Sequence, residues 1–295
     1  MKLRIAAAFA VGAILIGFLA WPLVAPSEPF GIVSFVNGNI SPFDMVILLA
    51  LAFLCGFLAY FFCWPFGREI AILAAPAGLA IWSVRSGNMG NLIQANPILA
   101  QRQQIFAAIK WEPIFWLIVI LAGFAGVLLA QKFKPTPKPI DTPEKIKKNL
   151  RLNLNSLIAL VVSGIIAQVC VRFLAQDVRV FDNKLGSVVA QPAVGQIIFA
   201  LLVAFGFAAF VAKKFLNANY IWPIISSGFI TAFTISLYAK SSVLKYLTER
   251  YAPIFFSNGL FSLLPIQVVA FGTLGSVAGY WLAIRYEYWR KHEIE

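Results

Sequence analysis

Histidine is almost missing from this chain: the one present, His292, stands in a charged C-terminal tail. Only three cysteines accompany it, Cys55, Cys63 and Cys170, and they form neither a C-x-x-C pair nor any other metal spacing. A haem site, a zinc site or an imidazole base inside the fold has almost nothing to be built from, so no cofactor is expected. The cysteines read as small apolar packing residues. Charge is scarce too. Asp, Glu, Lys and Arg make up 12% of the chain, and none lies near the middle of an apolar run; Asp44, Glu69 and Arg172 fall at run ends. Ion-coupled transporters and proton relays use an intramembrane ionisable group, and this chain offers none. It also lacks a phosphate-binding glycine loop, an H-E-x-x-H pair and any nucleophile, base and orienter set, so an enzyme is not expected.

Apolar residues, by contrast, make up 60% of the sequence, with 27 phenylalanines and a mean hydropathy of +0.82. A soluble domain has no means of hiding that much apolar surface. The apolar residues fall into runs long enough to cross about 30 Å of hydrocarbon as helices. Eight spans are expected, at residues 5–24, 45–64, 69–84, 113–130, 154–171, 194–211, 220–238 and 260–284. The third is short and interrupted by Pro76 and Gly78, which membrane helices tolerate when neighbours satisfy the freed backbone groups. The opening Met-Lys-Leu-Arg resembles the start of a signal peptide, but the run behind it reaches Val24 and is read as a retained first helix.

With the N-terminus inside, fifteen Lys and Arg fall on the cytoplasmic side against nine outside, which selects this topology over its inverse. All eight tryptophans stand near expected span ends, where an amphipathic ring prefers the headgroup region. The class expected is therefore an all-α integral protein of a bacterial inner membrane, with both termini cytoplasmic. The net charge of +12 belongs to this pattern and not to nucleic acid, because no aromatic-interleaved basic motif goes with it. The densest basic block holds Lys132, Lys134, Lys138, Lys145, Lys147, Lys148 and Arg151, a set suited to anionic lipid headgroups.

The chain also repeats. At an offset of 150, residues 42–60 match residues 192–210 at Pro42/Pro192, Ile47/Ile197, Ala50/Ala200, Leu51/Leu201, Gly56/Gly206, Phe57/Phe207 and Ala59/Ala209. Gly12 meets Gly164, Phe35 and Asn37 meet Phe181 and Asn183, and Pro113, Ile114, Gly123 and Gly126 meet Pro265, Ile266, Gly275 and Gly279 in the same order. Two four-helix repeats follow, residues 1–130 and 152–295, joined by a basic proline-rich linker over 131–151. Pro135, Pro137 and Pro139 hold its first part extended, and Asp141 or Thr142 ahead of Pro143 makes an N-cap for a cytoplasmic start to the fifth span. An even number of spans per repeat makes the copies parallel, unlike the inverted repeats of many transporters.

Short outer hairpins are expected around Asn37-Gly38 and around Asp182-Asn183-Lys184. Residues 98–110 and 243–251 pattern as amphipathic helices, with Ile98, Leu99, Ile105, Phe106 and Ile109 opposite Gln101, Arg102, Gln104 and Lys110, and Val243, Leu244, Leu247 and Tyr251 opposite Lys245, Glu249 and Arg250. They lie on the membrane surface or form a docking face for a membrane-protein partner.

One polar stripe stands out. Ser227, Thr231, Thr234 and Tyr238 share a helix face, and Ala74 and Gly78 answer them in the third span. Such small-residue faces serve either as packing seams or as a narrow, weakly polar path, and Gln168 and Gln196 are candidates for the same roles. Three function classes are compatible with these features: a permease or channel for a neutral or apolar solute, a non-catalytic anchor or scaffold subunit, and a lipid-modifying enzyme using the boundary acids Glu69, Glu112 or Asp44.

Overall fold

The structure is a computed structural model that describes residues 1–28, 30–35, 40–135 and 150–292. Among them are eight helices long and apolar enough to cross a bilayer. In order they are Lys2–Leu19, Pro42–Phe62, Gly67–Arg85, Glu112–Phe133, Leu150–Leu174, Val194–Leu216, Ile221–Tyr238 and Pro265–His292, here termed the first to eighth helices.

Their ends depart from the sequence expectation where local chemistry intervenes. The first helix passes through a π-helical turn over Ala13–Leu19 and stops, leaving Trp21–Val24 as a separate turn that contains Pro22. The third is longer than expected, because Pro76 falls at the third position of Ala74–Arg85, where its missing N–H has no intrahelical partner to lose. A single 3₁₀ turn, Ala71–Leu73, precedes it. The eighth begins at Pro265 rather than at residue 260, because Gly259–Ser262 is a 3₁₀ turn capped by the Asn258 side chain. The second opens on a capping box in which Ser41 and Asp44 exchange hydrogen bonds, with Pro42 at its first position.

Burial divides the bundle into layers. The apolar windows of the third and eighth helices are 78% buried and those of the first and fifth 22% and 28%, so the first pair forms the centre and the second the rim. The bundle presents large apolar side chains outward, among them Leu3, Ile14, Phe43, Ile165 and Phe199. The second helix packs along the fourth and the sixth along the eighth, and glycines set both distances. A Cβ on Gly56 would meet the Gly123 carbonyl at 2.0 Å, and one on Gly279 the Gly206 carbonyl at 1.9 Å. Backbones this close leave no room for any side chain.

Between the fifth and sixth helices, Arg179–Asp182 (β1) and Gly186–Ala190 (β2) form an antiparallel hairpin, and Phe255–Phe256 (β3) adds a third strand. The hairpin expected around Asn37-Gly38 lies outside the described residues, as do Asp141, Thr142 and Pro143.

The two amphipathic helices, Leu99–Ile109 and Ser241–Arg250, turn their apolar faces into the protein. Phe106 meets Tyr238 edge to face, and Ile105, Ile109, Leu244 and Leu247 are buried. Arg102, expected on the polar side, is buried instead: its guanidinium donates to the Asn96 carbonyl and to Thr248, joining the two helices. Trp82 and Trp116, expected to meet the headgroups at span ends, do lie near helix ends but face the protein interior. Both are fully buried and in ring contact, and the Trp82 indole donates to the Gly17 carbonyl at 3.1 Å, supplying one partner within the π-helical turn.

Candidate functional site

The hydroxyl stripe is buried along its length: Ser227, Thr231, Thr234 and Tyr238 all face the interior, as do Ala74 and Gly78. The hydroxyls of Ser227 and Thr231 donate to their own helix, to Ile224 and Ser227 carbonyls at 2.7 and 2.6 Å. Thr231 and Thr234 do line a cavity together with Gln168, but its volume is only 10 Å³. That is at most the space of one water. Gln168 itself is exposed on the rim side of the fifth helix. Gln196 closes a different gap, donating to the Leu174 and Gln176 carbonyls where the fifth helix ends. At Ala74 and Gly78 the third helix lies against the first, and a Cβ on Gly12 would stand 1.9 Å from the Ala74 carbonyl.

The boundary acids have separate fates. Asp44 is occupied in the capping box. Glu112, at the start of the fourth helix, is buried and accepts hydrogen bonds from the Ser34 hydroxyl and the Phe35 N–H, while Phe35 stacks on Trp116. Its carboxyl group ties the segment between the first and second helices to the start of the fourth. Among the described residues no three His, Cys, Asp or Glu converge to hold a metal ion. Of the basic block, Lys132 lies in the last turn of the fourth helix and Lys134 lies over the Trp64 ring at 4.2 Å; Lys138, Lys145, Lys147 and Lys148 lie outside the described residues, and Arg151 belongs to the first turn of the fifth helix.

The space large enough to hold a ligand is elsewhere. A groove of 780 Å³ runs between the first and third helices on one side and the sixth and eighth on the other. Its walls are almost wholly apolar, with Phe9, Ala77, Leu202, Phe271, Ala278 and Trp281 among them. It opens sideways at the rim, and along the third helix it extends from Leu73 to Arg85, about 18 Å at 1.5 Å per residue. The Arg85 guanidinium closes one end, held over the Trp21 ring at 4.2 Å.

No family model, curated protein or solved structure matches this chain. The function has to be argued from its own geometry. At the other end of the groove, sharing Trp281, lies a second pocket of 510 Å³ that carries both charge signs: Arg68, Glu69 and Arg285, with Tyr220, Tyr280 and Tyr288 around them. Of these residues only Glu69 was singled out in the sequence. The others come from three segments far apart in the chain, so no local motif joins them; the available signal was the clustering of Arg and Tyr at span ends.

Proposed function

We propose that this is a multi-pass protein of a bacterial inner membrane that acts as a permease-like carrier for an apolar solute, held in the groove between the first and third and the sixth and eighth helices. The observation that carries this is the groove itself: an apolar slot of 780 Å³ between the two sets of four long helices, open at the protein surface. Transporters built from repeats place their substrates at the interface between the copies, and an apolar solute would reach such a slot from the hydrocarbon without entering water.

The two sets of helices are, on this proposal, parallel copies, residues 1–130 and 152–295, related by a two-fold axis along the membrane normal, with the linker over 131–151 and both termini cytoplasmic. The glycine contacts support it. Gly56 and Gly206 hold equivalent positions, and each meets a glycine-bearing face, that of the fourth and of the eighth helix respectively. The helix pairing supports it as well, since the third helix packs on the eighth and the seventh on the fourth. The protein acts without chemistry of its own. The two amphipathic helices, whose apolar faces are taken up internally, brace the end of the bundle that carries the hairpin.

The test is reconstitution of the purified protein into liposomes, with transfer of a fluorescent long-chain hydrocarbon to acceptor vesicles as the readout. Ala278 is an exposed groove residue, so Ala278→Trp fills the slot without disturbing the core. It should slow transfer, whereas Thr231→Val, which removes a hydroxyl bonded only within its own helix, should not. Transfer no faster than in protein-free liposomes, or unchanged by Ala278→Trp, refutes the proposal.

A further inference from the structure

The mixed-charge pocket and the apolar groove adjoin, and their union has the form of one kind of molecule. Trp281 lines both, Met1 and Ile5 put successive turns of the first helix into the pocket and the groove, and on the eighth helix Arg285 and Tyr288 follow directly on Trp281. A polar chamber at one end of an apolar slot about 18 Å long fits an amphiphile with a compact head and an extended chain, since one leaflet's hydrocarbon is about 15 Å deep.

The charges specify the head. Arg68 and Arg285 are both exposed in the chamber, and guanidinium groups bind phosphate through paired, charge-assisted hydrogen bonds. Glu69, exposed like the two arginines, lies in the same chamber. A head carrying phosphate alone would satisfy the arginines and leave its negative charge facing Glu69, a like-charge opposition that disfavours it. A head that joins a phosphate to an ammonium satisfies both signs, with the ammonium on Glu69. Arg85 is the single charged residue lining the groove, whereas Arg68, Glu69 and Arg285, the last with its guanidinium over the Trp289 ring at 4.6 Å, gather in the chamber, which makes the chamber the headgroup end of the slot.

From this juxtaposition we infer that the groove and chamber together form a seat for a single phospholipid of the phosphoethanolamine type, its phosphate on Arg68 and Arg285, its ammonium on Glu69, and one acyl chain along the groove past Trp281. This rests on the groove being a ligand site, as in the proposed function, but not on the protein moving anything.

The experiment offers the purified full chain, in neutral detergent, equal amounts of phosphatidylethanolamine and phosphatidylglycerol with identical chains, and reads the retained lipid by native mass spectrometry. Phosphatidylethanolamine should be retained at roughly tenfold preference, the scale of one well-placed charge-assisted contact. Arg68→Gln and Arg285→Gln, both at exposed positions, should each lower retention of either lipid several-fold, and Glu69→Gln should abolish the preference between them. Ala278→Trp should lower retention of both by excluding the chain. Soluble glycerophosphoethanolamine at equal concentration should displace nothing; displacement would show that the head binds without the groove and would overturn the seat. Equal retention of the two lipids by the unaltered protein, or retention unaffected by either arginine substitution, also overturns it. If hydrocarbon transfer fails while phosphatidylethanolamine is retained selectively, the carrier function falls and the lipid seat stands; if transfer proceeds and retention ignores the headgroup, the reverse holds.

Discussion

At Asp182 four donors converge on one carboxylate. One oxygen takes the backbone N–H groups of Lys184 and Leu185 at 2.8 and 2.6 Å, closing the turn of the hairpin, and the other takes the hydroxyls of Tyr246 and Tyr251 at 2.8 and 2.7 Å. Burial alone pushes this carboxyl up, but the hydrogen bonds, that from Tyr251 foremost, outweigh it and hold it down at about 2. In the unfolded chain the same group titrates near about 3.9. A carboxyl depressed by folding contributes stability that is present above its unfolded value and is lost as pH falls through its folded value. The hairpin of the native protein should therefore stay protected from proteolysis down to about pH 4 and become sensitive between about pH 4 and 2. Asp182→Asn should be more sensitive than the native protein at pH 7, with the gap closing as the pH drops through that window. A gap that stays constant with pH would show that the carboxylate's charge is not what docks the hairpin on Ser241–Arg250. The sequence made the turn legible through Asp182-Asn183-Lys184, but the two tyrosines arrive from more than sixty positions away and carry no local signal.

Individual helices owe their positions to where backbone can meet backbone. Gly12 and Gly195 provide a matched contrast. A Cβ on Gly12 would stand 1.9 Å from the Ala74 carbonyl, whereas nothing lies within 4 Å of one on Gly195, in the first turn of the sixth helix. Gly12→Ala must push the first helix off the third, and should lower stability in detergent by at least the 1 to 3 kcal/mol, approximately, that overpacking costs. Gly195→Ala should raise it by roughly 0.5 to 1 kcal/mol, the ordinary gain from replacing a helical glycine. Thermal unfolding of the two variants side by side decides the matter, and a tolerated Gly12→Ala would mean that the first and third helices do not cross at this point. The eight helices were legible as apolar runs because the hydrocarbon thickness fixes their length. Their ends were less so: the stop at Leu19 and the start at Pro265 depend on a π-helical turn and a 3₁₀ turn that hydropathy does not register.

For the molecule as a whole, the proposed topology assigns the hairpin to the outer face and the turn after the sixth helix to the cytoplasm. Cysteines introduced singly at Lys184 and Lys214, in a chain whose Cys55, Cys63 and Cys170 have been replaced, should respond oppositely to an impermeant thiol reagent added to intact cells. Lys184→Cys should be labelled and Lys214→Cys protected; labelling of Lys214→Cys would invert the topology and with it the side on which Arg68 and Arg285 meet the bilayer. The sequence by itself determined that the chain forms eight long apolar helices, because its apolar residues are gathered into runs of the length that crosses a bilayer. Only the tertiary structure decided where the polar groups lie and what they bond to. The hydroxyl stripe that stood out in the sequence bonds back to its own helix around 10 Å³ of space, because a serine or threonine in a helix always has a carbonyl one turn behind it. The groove and its charged mouth depend on how the first and third helices stand against the sixth and eighth, a relation between distant segments that no single stretch of sequence encodes.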